Sequence, residues 1–60
     1  MKIEFVESIK VGTKSFNAGD IIILDEANDT LAELNNDYYI LIYHGLRYDI
    51  HKGTIKIWEK

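Results

Sequence analysis

Apolar positions along the chain recur mostly at every second residue, the spacing of strands that bury one face. From Lys2 to Val11, Ile3, Phe5, Ile9 and Val11 alternate with charged residues, and the alternation breaks only at Val6-Glu7. This predicts a strand with a bulge or bend at the break. Gly12-Thr13 then supplies a turn and Lys14 to Phe16 a short strand. Asn17-Ala18-Gly19-Asp20 is a tight connection in which Gly19 is free to take positive φ. Ile21-Ile22-Ile23-Leu24 is an unbroken, mostly β-branched run, which fits a strand buried on both faces or one lying where a sheet bends sharply.

Between Asp25 and Asn36 the period changes. Ala27, Leu31 and Leu34 fall at i, i+4 and i+7, Asn28 or Asp29 is a candidate cap, and Thr30 to Glu33 has capping-box spacing. The pattern predicts one short helix over about 27–35, too short to hold in isolation, whose Ala/Leu stripe closes an end or face of a sheet. Asn35-Asn36-Asp37 ends it, and Tyr38 to Tyr43 (YYILIY) is a dense strand signal. His44-Gly45 separates that run from Leu46 to Ile50, which alternates cleanly. Two residues ending in Gly between β-rich runs predict a tight hairpin with a primed turn. His51-Lys52-Gly53 makes a further turn, and Thr54 to Trp58 is a last strand with Ile55 and Ile57 on one face and Thr54, Lys56 and Trp58 on the other.

Five to six short antiparallel strands and one short helix are too little for a two-sheet sandwich of ordinary size but enough for a small, strongly bent barrel. Its expected core is Ile3, Phe5, Ile9, Ile21, Ile23, Leu31, Leu34, Ile40, Ile42, Leu46, Tyr48, Ile50, Ile55 and Ile57, with Tyr38 and Tyr39 able to exchange faces. The chain is 60 residues long, which makes it one small domain (1–60), and a domain of that size has a small core and marginal stability. It has no Cys, so disulfides, thiolate zinc sites and thiol nucleophiles are excluded and a reducing, cytoplasmic setting is expected. No apolar run reaches the roughly 20 residues of a membrane span.

From Gly19 to Trp58 the order of a Gly-Asp-apolar run (GDIIIL), a polar excursion, an aromatic-led strand (YYILIY), a tight hairpin at His44-Gly45 and a turn into a last short strand (HKGTIKIW) resembles the second half of bacterial SH3-like barrels. The resemblance implies an SH3-like fold with Tyr38 or Tyr39 in the aromatic pair that begins the family's third strand. The N-terminal third lacks the acidic, Tyr-containing loop of peptide-binding SH3 domains, which argues against proline-motif recognition. A strand followed by a Gly-Asp-apolar-Leu-Asp phrase and a small helix is also similar to many small proteins encoded by bacteriophages and prophages, and implies an accessory or regulatory role.

Net charge is −3, which disfavours strong non-specific nucleic-acid binding. The charge is polarised. Between Ser15 and Leu46 there is no Lys or Arg, while Asp20, Asp25, Glu26, Asp29, Glu33 and Asp37 are all acidic. This stretch is either a solvated segment or a surface that steers a protein partner with a basic face. Tyr39, Tyr43 and Trp58 are candidates for one outward face, as rings of this kind anchor recognition surfaces, or else they pack inside. The first expectation is therefore a non-enzymatic protein-binding module using Tyr39, Tyr43 and Trp58, the acidic residues Asp25, Glu26, Asp29 and Glu33, or both.

The alternatives are single-stranded nucleic-acid binding by the same aromatics with Arg47 and Lys56, and a structural homo-oligomer joined through strand edges or the aromatic face. A metal reading would use His44, Asp49 and His51, but residues seven apart across a hairpin need not converge, and two solvated loop histidines are the simpler account. No cofactor, metal or membrane partner is expected. Paired carboxylates in a dry pocket, a nucleophile elbow and a phosphate loop all lack a signature, so no catalytic residue is assigned.

Overall fold

Alternation in Lys-Ile-Glu-Phe sends Ile3 and Phe5 to one side of strand β1 (Lys2–Phe5), and the computed structural model, which describes residues 1–58, buries both completely. The break at Val6-Glu7 is a bend that separates β1 from β2 (Ile9–Val11). A two-residue turn at Gly12-Thr13 then leads into β3 (Lys14–Phe16), with Val11 opposite Lys14. Next come β4 (Ile21–Ile23), β5 (Thr30–Glu33), β6 (Tyr38–Tyr43), β7 (Leu46–His51), a single 3-10 turn (Lys52–Thr54) and β8 (Ile55–Trp58).

These strands form three small antiparallel sheets, ordered β4-β1-β8, β2-β3 and β5-β6-β7. One cluster of buried side chains joins them: Ile3, Phe5, Ile22 and Ile55 from the first sheet, Phe16 from the second, Leu41, Tyr48 and Ile50 from the third, and Leu24 beside them. Phe16 is the hub. Its ring stacks on Phe5 with centroids 4.4 Å apart and meets Tyr48 edge-on at 5.5 Å. Such aromatic pairs add about 0.5–1.5 kcal/mol beyond the area they bury.

Over 27–35 the structure corrects the sequence expectation: the segment is a turn followed by β5, not a helix. The carbonyl of Asp25 accepts from the backbone N–H groups of Asn28 (2.9 Å) and Asp29 (2.6 Å), which is one helical turn that is not continued. Asp25 Oδ1 also accepts from Ala27 N, and Asp29 Oδ2 accepts from Asp25 N. The capping chemistry is therefore present, but it closes a turn. From Thr30 onward, pairing with β6 in the register Thr30↔Ile42 to Glu33↔Tyr39 supplies the backbone hydrogen bonds and lets Leu31 pack against the core. A helix of two to three turns does not outweigh that pairing.

The core expectation also shifts where apolar runs are unbroken. Ile22 and Leu24 are buried while Ile21 and Ile23 are exposed; Leu41 is buried while Ile40 and Ile42 stand half-buried on the other face. Leu34, Leu46 and Ile57, expected inside, are exposed as well. The hairpin between β6 and β7 turns at His44 (φ 53°) and Gly45 (φ 79°), the pair of positive φ values that a primed turn requires. Gly19 (φ 95°) supplies the left-handed residue of the turn before β4.

Candidate functional site

Because Ile3 and Phe5 point inward, Lys2 and Glu4 point outward, and the register of the β4-β1-β8 sheet places two rows beside them. One row runs Ile23, Lys2, Trp58 and the other Ile21, Glu4, Lys56. Ile23 is 73% exposed, Ile21 55% and Trp58 39%. The indole is held in place: its Nε1 donates to Glu4 Oε1 at 3.1 Å, while Lys56 Nζ lies 4.4 Å and Lys2 Nζ 5.3 Å from the ring centroid. Two ammonium groups against one carboxylate make this patch basic on an acidic chain.

Tyr39 and Tyr43 are not part of this face. They flank Leu41 on the inner side of β6 and pack half-buried against the core, so the expectation that they share a surface with Trp58 is corrected. The cause is parity. In YYILIY both faces are apolar, and the Tyr43↔Leu46 register set by the primed turn turns the odd-numbered residues inward. The outward aromatic of β6 is Tyr38, 40% exposed and edge-on to His51 at 5.4 Å.

The acidic residues divide by what they hold. Asp29 is buried, with Oδ2 on Asp25 N and Oδ1 accepting from His44 N at 3.2 Å, so it fastens the 25–29 turn to the β6-β7 hairpin. Asp25 accepts from the Asn28 side chain at 2.8 Å and from Ala27 N, and these two bonds, in that order, hold its carboxyl below the usual carboxylate range. Glu33 is paired with Lys52 Nζ at 2.6 Å, and that ammonium also lies 5.2 Å from the Tyr39 ring centroid. Asp25, Glu26 and Glu33 are exposed, and Glu26 lies 3.8 Å from the Met1 amino group.

Arg47 lies in β7, on the outer face of the other three-stranded sheet, with Nε donating to Asp49 Oδ1 at 3.1 Å. Lys56 alone of the candidate nucleic-acid pair adjoins Trp58. His44 sits in the hairpin turn beside Tyr43, and His51 Nδ1 accepts from Gly53 N. Among the described residues no three His, Asp or Glu side chains form a group able to hold a metal ion, and no helix is long and apolar enough to cross a membrane.

Residues missed at the level of sequence are Lys2, Glu4, Ile21 and Ile23. The alternation of Lys2 and Glu4 with Ile3 and Phe5 was the available signal for the first two; only knowledge that β4 pairs with β1 brings the isoleucines to them. Comparison with protein-family models, with curated proteins and with solved structures gave no match.

Proposed function

We propose that this protein is a non-enzymatic binding module of the SH3-like small-barrel type that docks a protein partner on the outer face around Trp58. The carrying observation is the grouping of Ile21, Ile23 and Trp58 on one exposed sheet face with the indole fixed by Glu4. A pre-positioned ring costs little entropy on binding, and exposed apolar side chains grouped around one are the composition of a recognition patch. The partner surface that complements it is apolar with an acidic rim, given Lys2 and Lys56. Of the acidic residues that would face a basic partner, Asp29 is buried within the fold, while Asp25, Glu26 and Glu33 remain exposed.

The barrel reading is supported by three features: the last strand lies on the first, a tight hairpin joins β6 to β7, and a 3-10 turn leads into β8. The non-enzymatic reading is supported by the hydrogen bonds and ion pair that hold Asp25, Asp29 and Glu33. The two ammonium groups at the indole favour a second reading, binding of single-stranded nucleic acid with a base on Trp58.

Affinity capture with the wild-type chain, with Trp58→Ala and with Ile23→Asp tests the proposal, using Ile42→Thr on the other sheet as control. A defined protein partner should be retained by wild type and control and lost by both patch variants at unchanged melting temperature. Equal capture by all four chains removes the docking face. Saturable, salt-dependent binding of an oligonucleotide that Trp58→Ala abolishes would instead establish the second reading.

A further inference from the structure

The phase of the β4-β1 ladder determines which backbone groups of β4 face outward. Leu24 N donates to Met1 O and Phe5 N to Asp20 O, both at 2.8 Å, so in the register Lys2↔Ile23 to Glu4↔Ile21 the hydrogen-bonded pairs are those of Met1, Ile3 and Phe5. Ile22 therefore turns its N–H and C=O toward β1, and Ile21 and Ile23 turn theirs the other way. β4 is an outer strand of its sheet, and among the described residues no other strand pairs with those outward groups. Every other outer strand carries a charge, a common guard against strand addition: Lys10 in β2, Lys14 in β3, Glu33 in β5, Arg47 and Asp49 in β7, Lys56 in β8. β4 is Ile-Ile-Ile. The carboxylates that flank it are held in their own turns, Asp20 Oδ2 accepting from Asn17 N at 2.8 Å and Asp25 from Ala27 N and the Asn28 side chain.

We propose that two copies of this chain pair antiparallel through β4, about a twofold axis at Ile22, joining their β4-β1-β8 sheets into one. With Ile22 opposite Ile22, Ile21 of each copy meets Ile23 of the other. Each of these two pairs exchanges both N–H···O bonds, so every outward group of both edges is satisfied. An axis at Ile21 or Ile23 instead would pair only one of the two residues within the strand. On the outer face the exposed isoleucines come to lie side by side, a β-branched cross-strand pair, and they separate Lys2 of one copy from Glu4 of the other. This match of a strand to its own reverse favours a second copy over a foreign segment. The contact is confined to a three-residue strand and its flanks, well short of the roughly 1,200–2,000 Å² of stable interfaces, so the dimer is weak and concentration-dependent. It is independent of what docks around Trp58.

The test is sedimentation equilibrium of the wild-type chain, of Trp58→Ala, of Ile21→Lys and of a synthetic chain methylated on the backbone nitrogen of Ile23. Wild type and Trp58→Ala should rise from 7.0 kDa toward twice that mass, with half-association near about 100 µM. Ile21→Lys and the N-methylated chain should associate at least about tenfold more weakly, the latter at unchanged melting temperature because its N–H faces away from β1. Isotope-filtered NMR on a mixture of labelled and unlabelled wild type should show contact between the Ile22 Hα atoms of the two copies, which face each other in a non-hydrogen-bonded pair with Cα atoms about 4.5 Å apart. A wild-type mass of 7.0 kDa at about 1 mM overturns the proposal, as does wild-type-like association of the N-methylated chain or intermolecular contacts that leave out Ile22. N-methylation keeps the side chains of Ile21, Ile23 and Trp58, so failure of the dimer and failure of the docking face are read separately. If wild type is monomeric and the N-methylated chain loses a protein that wild type captures, the edge belongs to an extended segment of that protein and the dimer is overturned.

Discussion

In the β5-β6-β7 sheet the central strand turns Tyr39 and Tyr43 toward the core beside Leu41, whereas in the β4-β1-β8 sheet Trp58 turns away from the core and is joined outside by Ile21 and Ile23. Both sheets carry more apolar residues than one face can bury. In the first, the aromatic excess thickens the core; in the second, it is left in water, around an indole tied down by Glu4. Composition alone would give the two sheets the same role. Parity, fixed by a turn in one case and by charged neighbours in β1 in the other, makes them different.

Leu41 and Ile23 are the sharpest way to break that comparison. Leu41→Ala removes a fully buried side chain and should cost about 2–5 kcal/mol, enough to unfold most of so small a domain, while Ile23→Ala should stay within about 0.5 kcal/mol. Urea or thermal unfolding of the pair measures both. Equal losses would mean that the parity assigned to one strand is wrong. Asp29→Ala should come next, at about 1–3 kcal/mol, because it strips the backbone N–H groups of Asp25 and His44 of their acceptor.

Tyr39→Ala should destabilise by about 1–2 kcal/mol as a half-buried ring, and Trp58→Ala should leave the melting temperature nearly unchanged while abolishing partner capture. A stability loss at Trp58 as large as at Tyr39 would return the indole to the core. His44→Asn should stabilise by a few tenths to about 1 kcal/mol, since Asn tolerates positive φ better at the first position of a primed turn.

The smallest effect is that of pH at Asp25. Its folded carboxyl titrates below the ordinary value because the Asn28 amide and then Ala27 N favour the ionised form. The resulting stabilisation is complete above the ordinary value of 3.8 and is lost as pH falls through the folded one. Carboxyl-carbon NMR should show this depression, and Asn28→Ala should return the midpoint toward 3.8.

Much of the strand layout is legible from the sequence where charges mark one face. Lys-Ile-Glu-Phe and Arg-Tyr-Asp-Ile predict the buried residues of β1 and β7 correctly, Leu46 at the start of β7 being the exception, and His44-Gly45 predicts its primed turn. In Ile21 to Leu24 and Tyr38 to Tyr43 every position is apolar, so both parities bury the same amount of grease and only the partner strand decides. The 27–35 segment misleads for another reason: Asp and Asn side chains close an isolated turn with the same bonds that start a helix, and the decision falls to β6, distant from that local signal. Of the candidate site, Trp58 and Lys56 are visible in sequence, while the isoleucines that complete it arrive through a pairing between β1 and β4.

The pairing of Lys2 with Trp58 bears on how the chain assembles in time. The β5-β6-β7 meander joins neighbours through short loops and can zip up within microseconds, but β1 keeps one flank open until residues 55–58 are available to seal it. Sealing that flank closes the longest loop in the fold, so the event that roofs Ile3 and Phe5 is also the one that brings the Trp58 face into existence.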